Sequence, residues 1–173
     1  MKILITSFSQ SGNTVKIAKA ISDEAAKTCE VSTKTLEEVK AGDLAGYDLV
    51  FIGSPIHVGS LAGPVKDFLN RLQAPSGLKM AGFVTHAGPA YPEQVMSKFV
   101  EPLQAACEKN ALTYLGCFSC QGFLDPALHE MIKKSQKLTD DEWAERVKEM
   151  TGHPDAGDLD KAKAFTRDVL SRK

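Results

Sequence analysis

Strand-like apolar runs alternate with helical patterns along most of this chain. Five runs predict strands: KILIT (2–6), CEVSTKTL (29–36), DLVFIGS (48–54), MAGFVTHAG (80–88) and ALTYLGCFS (111–119). Amphipathic segments predict helices over about 13–27, 63–72, 93–109 and 159–171, and Pro102 should kink or divide the third of these. Strands that alternate with helices favour a three-layer, doubly wound α/β fold with five parallel strands.

One segment does not fit a plain alternation. Residues 120–157 are too long for a simple connection between the last strand and the last helix. The stretch DPALHEMIKKSQ predicts one helix, and TDDEWAERVKEM predicts another because Thr139 and Glu142 form a capping box. Without a repeat or a low-complexity linker, we expect a helical insertion after strand five within a single domain, 1–173.

Composition narrows the classes of partner. The chain has 22 acidic and 21 basic residues, so it lacks the excess positive charge that is typical of proteins that bind nucleic acid. No apolar run approaches a membrane span, and the N-terminus lacks the apolar core and cleavage site of a signal peptide. We therefore expect a cytoplasmic protein with no nucleic-acid or membrane partner and with reduced cysteines.

The loop SQSGNT (9–14) follows the first strand and opens a helix. Helix starts present unpaired N–H groups and a partial positive charge, which suit a phosphate. The loop contains neither lysine nor arginine, so neutral dipoles would hold the anion. The Walker A and G-x-G-x-x-G loops both lose support, since the Walker lysine is absent and Gly12 is the one glycine of this loop. An ordinary polar turn with a helix cap is the alternative for this hexapeptide alone.

Two further loops are expected at the same edge of the sheet. GSPIHVGS (53–60) ends the third strand and THAGPAYP (85–92) ends the fourth. Ligands of open parallel sheets bind beyond the carboxyl ends of the strands. Three loops that converge there would frame a pocket for a flat ligand.

Other chemistry-bearing residues favour structural roles. Cys117 and Cys120 form a C-x-x-C at the end of a strand, whereas redox pairs open helices and zinc needs further ligands. We find no metal site and no catalytic acid–base group. Two alternatives stay open: His57 either stacks on a ligand or faces solvent, and Trp143 either packs the insertion or forms a lid or partner surface.

The hexapeptide SQSGNT matches [ST]-x-[ST]-G-N-T, the FMN-phosphate signature of the flavodoxin family, in every specified position. The chain resembles that family over 1–119 and the last helix. GSPIHVGSLAGPVKDFL is similar to the family's second loop and following helix, and the HP…DL…A…F pattern at 153–165 is similar to the tail of one subgroup. The resemblance implies a flavodoxin-like fold with strand order 2-1-3-4-5 and non-covalent FMN.

The resemblance also implies the cofactor-binding residues. Phosphate contacts would come from the first loop and the end of strand three: Ser9, Ser11, Gly12, Asn13, Thr14 and Ser54. Gln10 of the same loop is also expected to bind the cofactor. The ring would lie between two further sets: Pro55, Ile56, His57, Val58 and Gly59, and Thr85, His86, Ala87, Gly88 and Tyr91. Many family members stack a tryptophan and a tyrosine on the ring, but here the second loop has no tryptophan and Tyr91 lies late in the third.

The implied function is low-potential electron transfer between redox partner proteins, by a monomer or weak homodimer. Neither pocket loop contains lysine or arginine, which disfavours an anionic reduced flavin. The alternative is an FMN-dependent NAD(P)H:quinone-type reductase, favoured by the near-neutral charge and by the insertion. A binding module without FMN is a third hypothesis, which the complete SQSGNT signature disfavours.

Overall fold

The computed structural model describes residues 1–89 and 91–172. Its strands are β1 (Lys2–Ser7), β2 (Glu30–Thr35), β3 (Leu49–His57), β4 (Ser60–Leu61), β5 (Lys79–His86) and β6 (Thr113–Gln121). Its α-helices are α1 (Asn13–Ala25), α2 (Gly63–Asn70), α3 (Glu93–Lys109), α4 (His129–Ser135), α5 (Asp140–Met150) and α6 (Ala156–Ser171). Short 3-10 helices cover Leu36–Glu38, Ala41–Gly46 and Pro126–Leu128. Within these ranges, no helix combines the length and apolar character that a membrane crossing needs.

Five strands form one parallel sheet in the order β2-β1-β3-β5-β6. This is the predicted order 2-1-3-4-5, and the predicted doubly wound α/β fold is confirmed. The two-residue strand β4 is an addition, since it folds back antiparallel onto the end of β3. It lies off the main path of the sheet and forms the second arm of a tight hairpin.

The sheet has a buried core on each face. Ile3 and Ile5 of β1 pack toward α1 and α6, whereas Leu4 packs with the residues of α2 and α3. Successive side chains of a strand point to opposite faces, so a strand with helices on both sides is apolar at every position. The edge strand β2 is half-buried and polar at alternate positions, as its sequence predicts.

The insertion begins after Gln121, where β6 ends. Thr139 and Glu142 form the predicted capping box at the start of α5: the Thr139 N–H donates to Glu142 Oε2 over 2.8 Å, and the Glu142 N–H donates to Thr139 Oγ1 over 3.3 Å. Trp143 and Met150 on α5 are buried. Trp143 therefore packs within the protein, which agrees with the structural alternative for this residue.

Pro102 does not divide α3, which runs unbroken from Glu93 to Lys109. The expectation of a division was wrong for a local reason. A proline removes one N–H and leaves the carbonyl four residues earlier without its helical partner. That residue is Lys98, which is exposed, so water can replace the lost hydrogen bond.

Gly53 in β3 provides a test of the packing that joins three strands. A Cβ at Gly53 would overlap the Phe83 ring and lie 2.7 Å from Ser7 Cβ. We expect Gly53→Ala to lower the free energy of unfolding by about 1–3 kcal/mol, the usual cost of overpacking. Urea titration followed by circular dichroism measures it.

Gly63→Ala is the matched control, because a Cβ at Gly63 would meet nothing within 4 Å. It should change the free energy of unfolding by less than about 0.5 kcal/mol. Equal losses in the two variants would contradict this account of Gly53.

Candidate functional site

The carboxyl ends of β1, β3 and β5 open into a cleft of about 250 Å³. Its lining comes from all three predicted loops and from the start of the insertion: Gln10, Ser11, Asn13, Pro55, Ile56, His57, Thr85, His86, Ala87, Gly122, Phe123, Leu124, Asp125, Ala127 and Leu128. The volume lies just below the range of roughly 300–1,000 Å³ of small-molecule pockets. The structure thus brings the three loops together at one edge of the sheet, as expected.

The loop after β1 ends at Gly12, which has a left-handed backbone with φ 83°. The Gly12 N–H donates to Ser9 Oγ over 3.1 Å, which closes the loop on itself. Among the described residues, no side chain caps the start of α1, and its first turn has no acidic residue. The first N–H groups of the helix therefore point toward the loop without a protein anion to neutralise their dipole.

The side chains of Asn13 and Thr14 are committed to contacts within the protein. Thr14 Oγ1 lies 2.9 Å from Thr85 Oγ1, and both residues are buried. Asn13 Nδ2 donates to Ser11 Oγ over 2.9 Å and to the Phe123 carbonyl over 2.7 Å. These two side chains connect the first loop to the third loop and to the insertion, which leaves their backbone N–H groups for a ligand.

The second loop is a hairpin between β3 and β4. Val58 and Gly59 at its tip both have positive φ, 50° and 73°, as the central residues of a type I′ turn require. Valine is strained in this region of backbone space because its side chain is β-branched, and Val58 is fully exposed at the tip. Below the tip, Pro55, Ile56 and His57 line the cleft.

Ser54 lies beneath this hairpin rather than in the cleft lining. It is buried; its hydroxyl donates to the Pro55 carbonyl over 2.8 Å and accepts from the Ala62 N–H over 2.9 Å. Both bonds hold the base of the hairpin. We therefore assign Ser54 to positioning the second loop, in place of the phosphate contact expected from the resemblance.

The third loop is held by the Gly88 carbonyl, which accepts from His86 Nδ1 over 3.2 Å and from Gln121 Nε2 over 3.0 Å. Thr85, His86 and Ala87 reach the cleft lining. The Tyr91 ring packs edge-on against His86, with centroids 5.0 Å apart, and covers Gly88, where a Cβ would overlap its hydroxyl. Tyr91 and Gly88 therefore support the wall from behind. Ala90 of this loop lies outside the described residues.

The start of the insertion forms a fourth wall that sequence analysis missed. Six residues between Gly122 and Leu128 line the cleft. A signal for it was present, because QGFLDP has the glycine and proline of the second and third loops and also follows a strand.

The family model described as a flavodoxin domain matches residues 4–167. The chain belongs to the flavodoxin family. It is 28% identical over 176 residues to the flavodoxin-like domain-containing protein BilS of Clostridioides difficile, a match that covers 98% of this chain and 97% of that protein.

Solved flavodoxins show the same fold. Oxidised flavodoxin 2 of Bacillus cereus has a TM-score of 0.71 and 21% identity, with both chains covered completely (100%). Oxidised flavodoxin 1 of the same organism has a TM-score of 0.68 and 19% identity over 100% of this chain and 99% of the other. At these identities the likeness concerns architecture alone.

A flavin is the cofactor that the family implies, and the first loop has room for its phosphate. A Cβ placed on Gly12 would meet nothing within 4 Å, so a ligand can approach the backbone there. The start of α1 offers N–H groups and no acidic side chain in its first turn. The donor set therefore fits a phosphate without a cation from the loop.

Cys117 and Cys120 lie outside the lining of the cleft. Cys117 packs against the core beside α2 and α3, whereas Cys120 is buried in the core beside α1 and α6. Since the two thiols lie on opposite faces of β6, they cannot form a disulfide with each other. Burial raises the pKa of the Cys117 thiol far above its ordinary value and that of Cys120 to about 12.

A cluster of His153, Asp155 and Asp158 closes the start of α6. His153 Nδ1 donates to Asp158 Oδ2 over 2.5 Å, and the Asp155 and Asp158 side chains each accept the other's backbone N–H. The ligand atoms of the three lie within 4.8 Å of one another. Helix capping accounts for these contacts, so we assign the cluster to the structure of α6.

A larger groove, of about 590 Å³, runs between α1 and the end of β2 and lies outside the three loops except at Ser9.

His86 should make the stability of the folded protein depend on pH, with stability lost as the pH falls. Burial lowers its pKa from the ordinary 6.5, partly offset by the Gly88 hydrogen bond and by Asp158. The unfolded chain therefore binds a proton at a higher pH than the folded one, and stability falls as pH drops below about 6.5. Urea midpoints measured from pH 7.5 to 5 should decline in the native protein, and His86→Gln should flatten that decline.

His57→Gln is the matched control, since burial also lowers the pKa of His57 but the residue is exposed. His57→Gln should reduce the dependence of the urea midpoint on pH by less than His86→Gln does. Carboxylates such as Asp155, whose pKa is lowered from 3.8 by the Asp158 N–H, affect stability only at lower pH. An unchanged slope in His86→Gln would contradict the assignment.

Proposed function

We propose that this protein binds FMN non-covalently in the cleft and acts in low-potential electron transfer. The observation that carries the proposal is the start of α1, where the SQSGNT loop has no charged residue and leaves the helix N–H groups open. The converging loops of the cleft and the membership of the flavodoxin family support it.

The phosphate would be held by the first loop. Ser9 and Ser11 offer hydroxyls, and the helix start offers N–H groups, including those of Asn13 and Thr14. The side chains of Asn13 and Thr14 would keep the loop in place through Phe123 and Thr85. Asn13 and Thr14 would thus hold the phosphate, as the resemblance implies, through their backbone N–H groups.

The ring would lie between the second and third loops. Pro55, Ile56 and His57 supply one wall, and His86 and Ala87 supply another. The His86 Nδ1–H donates to the Gly88 carbonyl, so the neutral ring keeps Nε2 as an acceptor. Val58 and Gly59 would stand at the rim.

Electrostatics favour a low potential. Bound FMN supplies reversible transfer of one or two electrons. None of the described residues that line the cleft is lysine or arginine, and Asp125 adds a negative group. Burial lowers the pKa of both lining histidines, His57 and His86, so they stay neutral near pH 7. A surround without positive charge disfavours an anionic reduced cofactor.

The phosphate assignment predicts selective damage by a negative charge in the first loop. Ser11→Asp should weaken FMN binding by at least about tenfold through charge repulsion. Riboflavin, which lacks the phosphate, should bind the variant as it binds the native protein. Flavin fluorescence titration of the apoprotein measures both affinities.

Ser76→Asp is the control for net charge, because Ser76 is also exposed and precedes β5 at the opposite edge of the sheet. It should leave FMN affinity within about twofold. Equal weakening of FMN and riboflavin by Ser11→Asp would place the phosphate elsewhere.

A redox titration distinguishes the electron carrier from the reductase alternative. The insertion, which forms one wall of the cleft, is the feature that favours the reductase. As a carrier, the FMN-loaded protein should take up electrons from dithionite in two resolved one-electron steps and should not be reduced by NADPH alone. Direct reduction by NADPH with turnover of a free quinone would instead establish the reductase. Protein that elutes from gel filtration without flavin would overturn both.

The setting proposed for this activity is the cytoplasm, with redox proteins as partners. Four free thiols support a reducing compartment. Exchange of electrons with partner proteins and a monomeric or weakly dimeric state are further parts of the proposal.

A further inference from the structure

We propose that Phe123, at the start of the insertion, is the aromatic residue that stacks on the flavin ring in this protein. The inference rests on the proposed function and extends it to a segment beyond the three expected loops. Its starting point is the position of Phe123 in the cleft lining, beside the first loop and together with Ile56 and His57 of the second.

The second loop lacks the tryptophan that many flavodoxins place against the ring. Among the described residues that line the cleft, Phe123 is the one phenylalanine, tyrosine or tryptophan. Tyr91 does not reach that lining and packs on His86 and Phe99 instead, with ring centroids 5.0 and 5.1 Å apart. The cleft therefore holds one large aromatic surface, and the insertion supplies it.

Two backbone hydrogen bonds fix the position of Phe123. Its carbonyl accepts from Asn13 Nδ2 over 2.7 Å, and its N–H donates to the His153 carbonyl over 3.0 Å. Gly122 allows this approach, because a Cβ there would lie 2.8 Å from Asn13 Nδ2. The aromatic residue is thus tied to the loop that would hold the phosphate and to the start of α6.

The insertion also supports the ring from behind. His129 of α4 packs edge-on against Phe123, with centroids 5.7 Å apart, and against Trp143 of α5, with centroids 5.3 Å apart. His129 Nε2–H donates to the Leu124 carbonyl over 3.1 Å, and Trp143 is buried. These edge-on contacts among three rings restrain Phe123, so little conformational freedom is lost when a flat ligand packs on it.

The contribution of Phe123 would act on the ring and not on the phosphate. Offset stacking of aromatic rings adds to the affinity beyond the apolar area that is buried. FMN and riboflavin share the ring, so the loss of Phe123 should weaken both by the same factor. A defect in the phosphate loop would weaken FMN alone.

The test compares Phe123→Leu with Phe123→Tyr in flavin fluorescence titrations of the apoprotein. Phe123→Leu should bind FMN and riboflavin about tenfold more weakly and quench their fluorescence less. Phe123→Tyr keeps the ring and should stay within about twofold of the native protein. Phe118→Leu is the matched control, because Phe118 on β6 packs on Phe165 outside the cleft, with ring centroids 6.1 Å apart.

The outcomes separate this inference from the proposed function. If the native protein binds FMN and Phe123→Leu binds it equally well, the role of Phe123 is overturned while the proposed function stands. If the native protein binds no flavin, both fail. Circular dichroism checks that each variant folds; Phe123→Met keeps the apolar volume, and the same weakening is expected of it should Phe123→Leu unfold.

Discussion

Parallel pairing of β1, β3 and β5 determines where the walls of the cleft begin. Ser7 pairs with Gly53, and Pro55 pairs with Thr85, so three loops leave the sheet at nearly the same height. The buried Thr14–Thr85 hydrogen bond then joins elements 71 residues apart in the chain. Loops that start from a rigid edge need few internal contacts to keep their relative positions, which is why polar and glycine-rich segments can frame an ordered site here.

The first loop combines this placement with electrostatics of a particular kind. It has no formal charge, and the helix dipole and backbone N–H groups provide its attraction for an anion. Across the cleft, His57, His86 and Asp125 give the described lining no cation. In the proposed complex, the anionic phosphate would be attracted by dipoles, whereas a flavin ring that takes up electrons would gain little from its surroundings.

Local patterns were sufficient to predict the five parallel strands but not every contact in the site, and the order of the strands came from the family resemblance. The unbroken apolar run of β3 identified a central parallel strand, and strand ends identified three of the four walls. The roles of Ser54 and of the Thr14 side chain depend on partners that only the folded chain brings close, Ala62 and Thr85. The two-residue strand β4 is too short for a periodic signal, and Val58 in its turn contradicts the usual preference for glycine or asparagine. The wall at Gly122–Leu128 follows a strand as the other walls do. It was not predicted because the segment continues into the helices of the insertion.

The buried thiols have a consequence for the chemistry of the molecule as a whole. Burial raises the pKa of Cys107 to about 11 and that of Cys120 to about 12, and it raises the pKa of Cys117 further. Peroxides, alkylating agents and glutathione disulfide all react with the deprotonated sulfur. These three thiols are therefore almost wholly protonated at neutral pH and react slowly with such reagents.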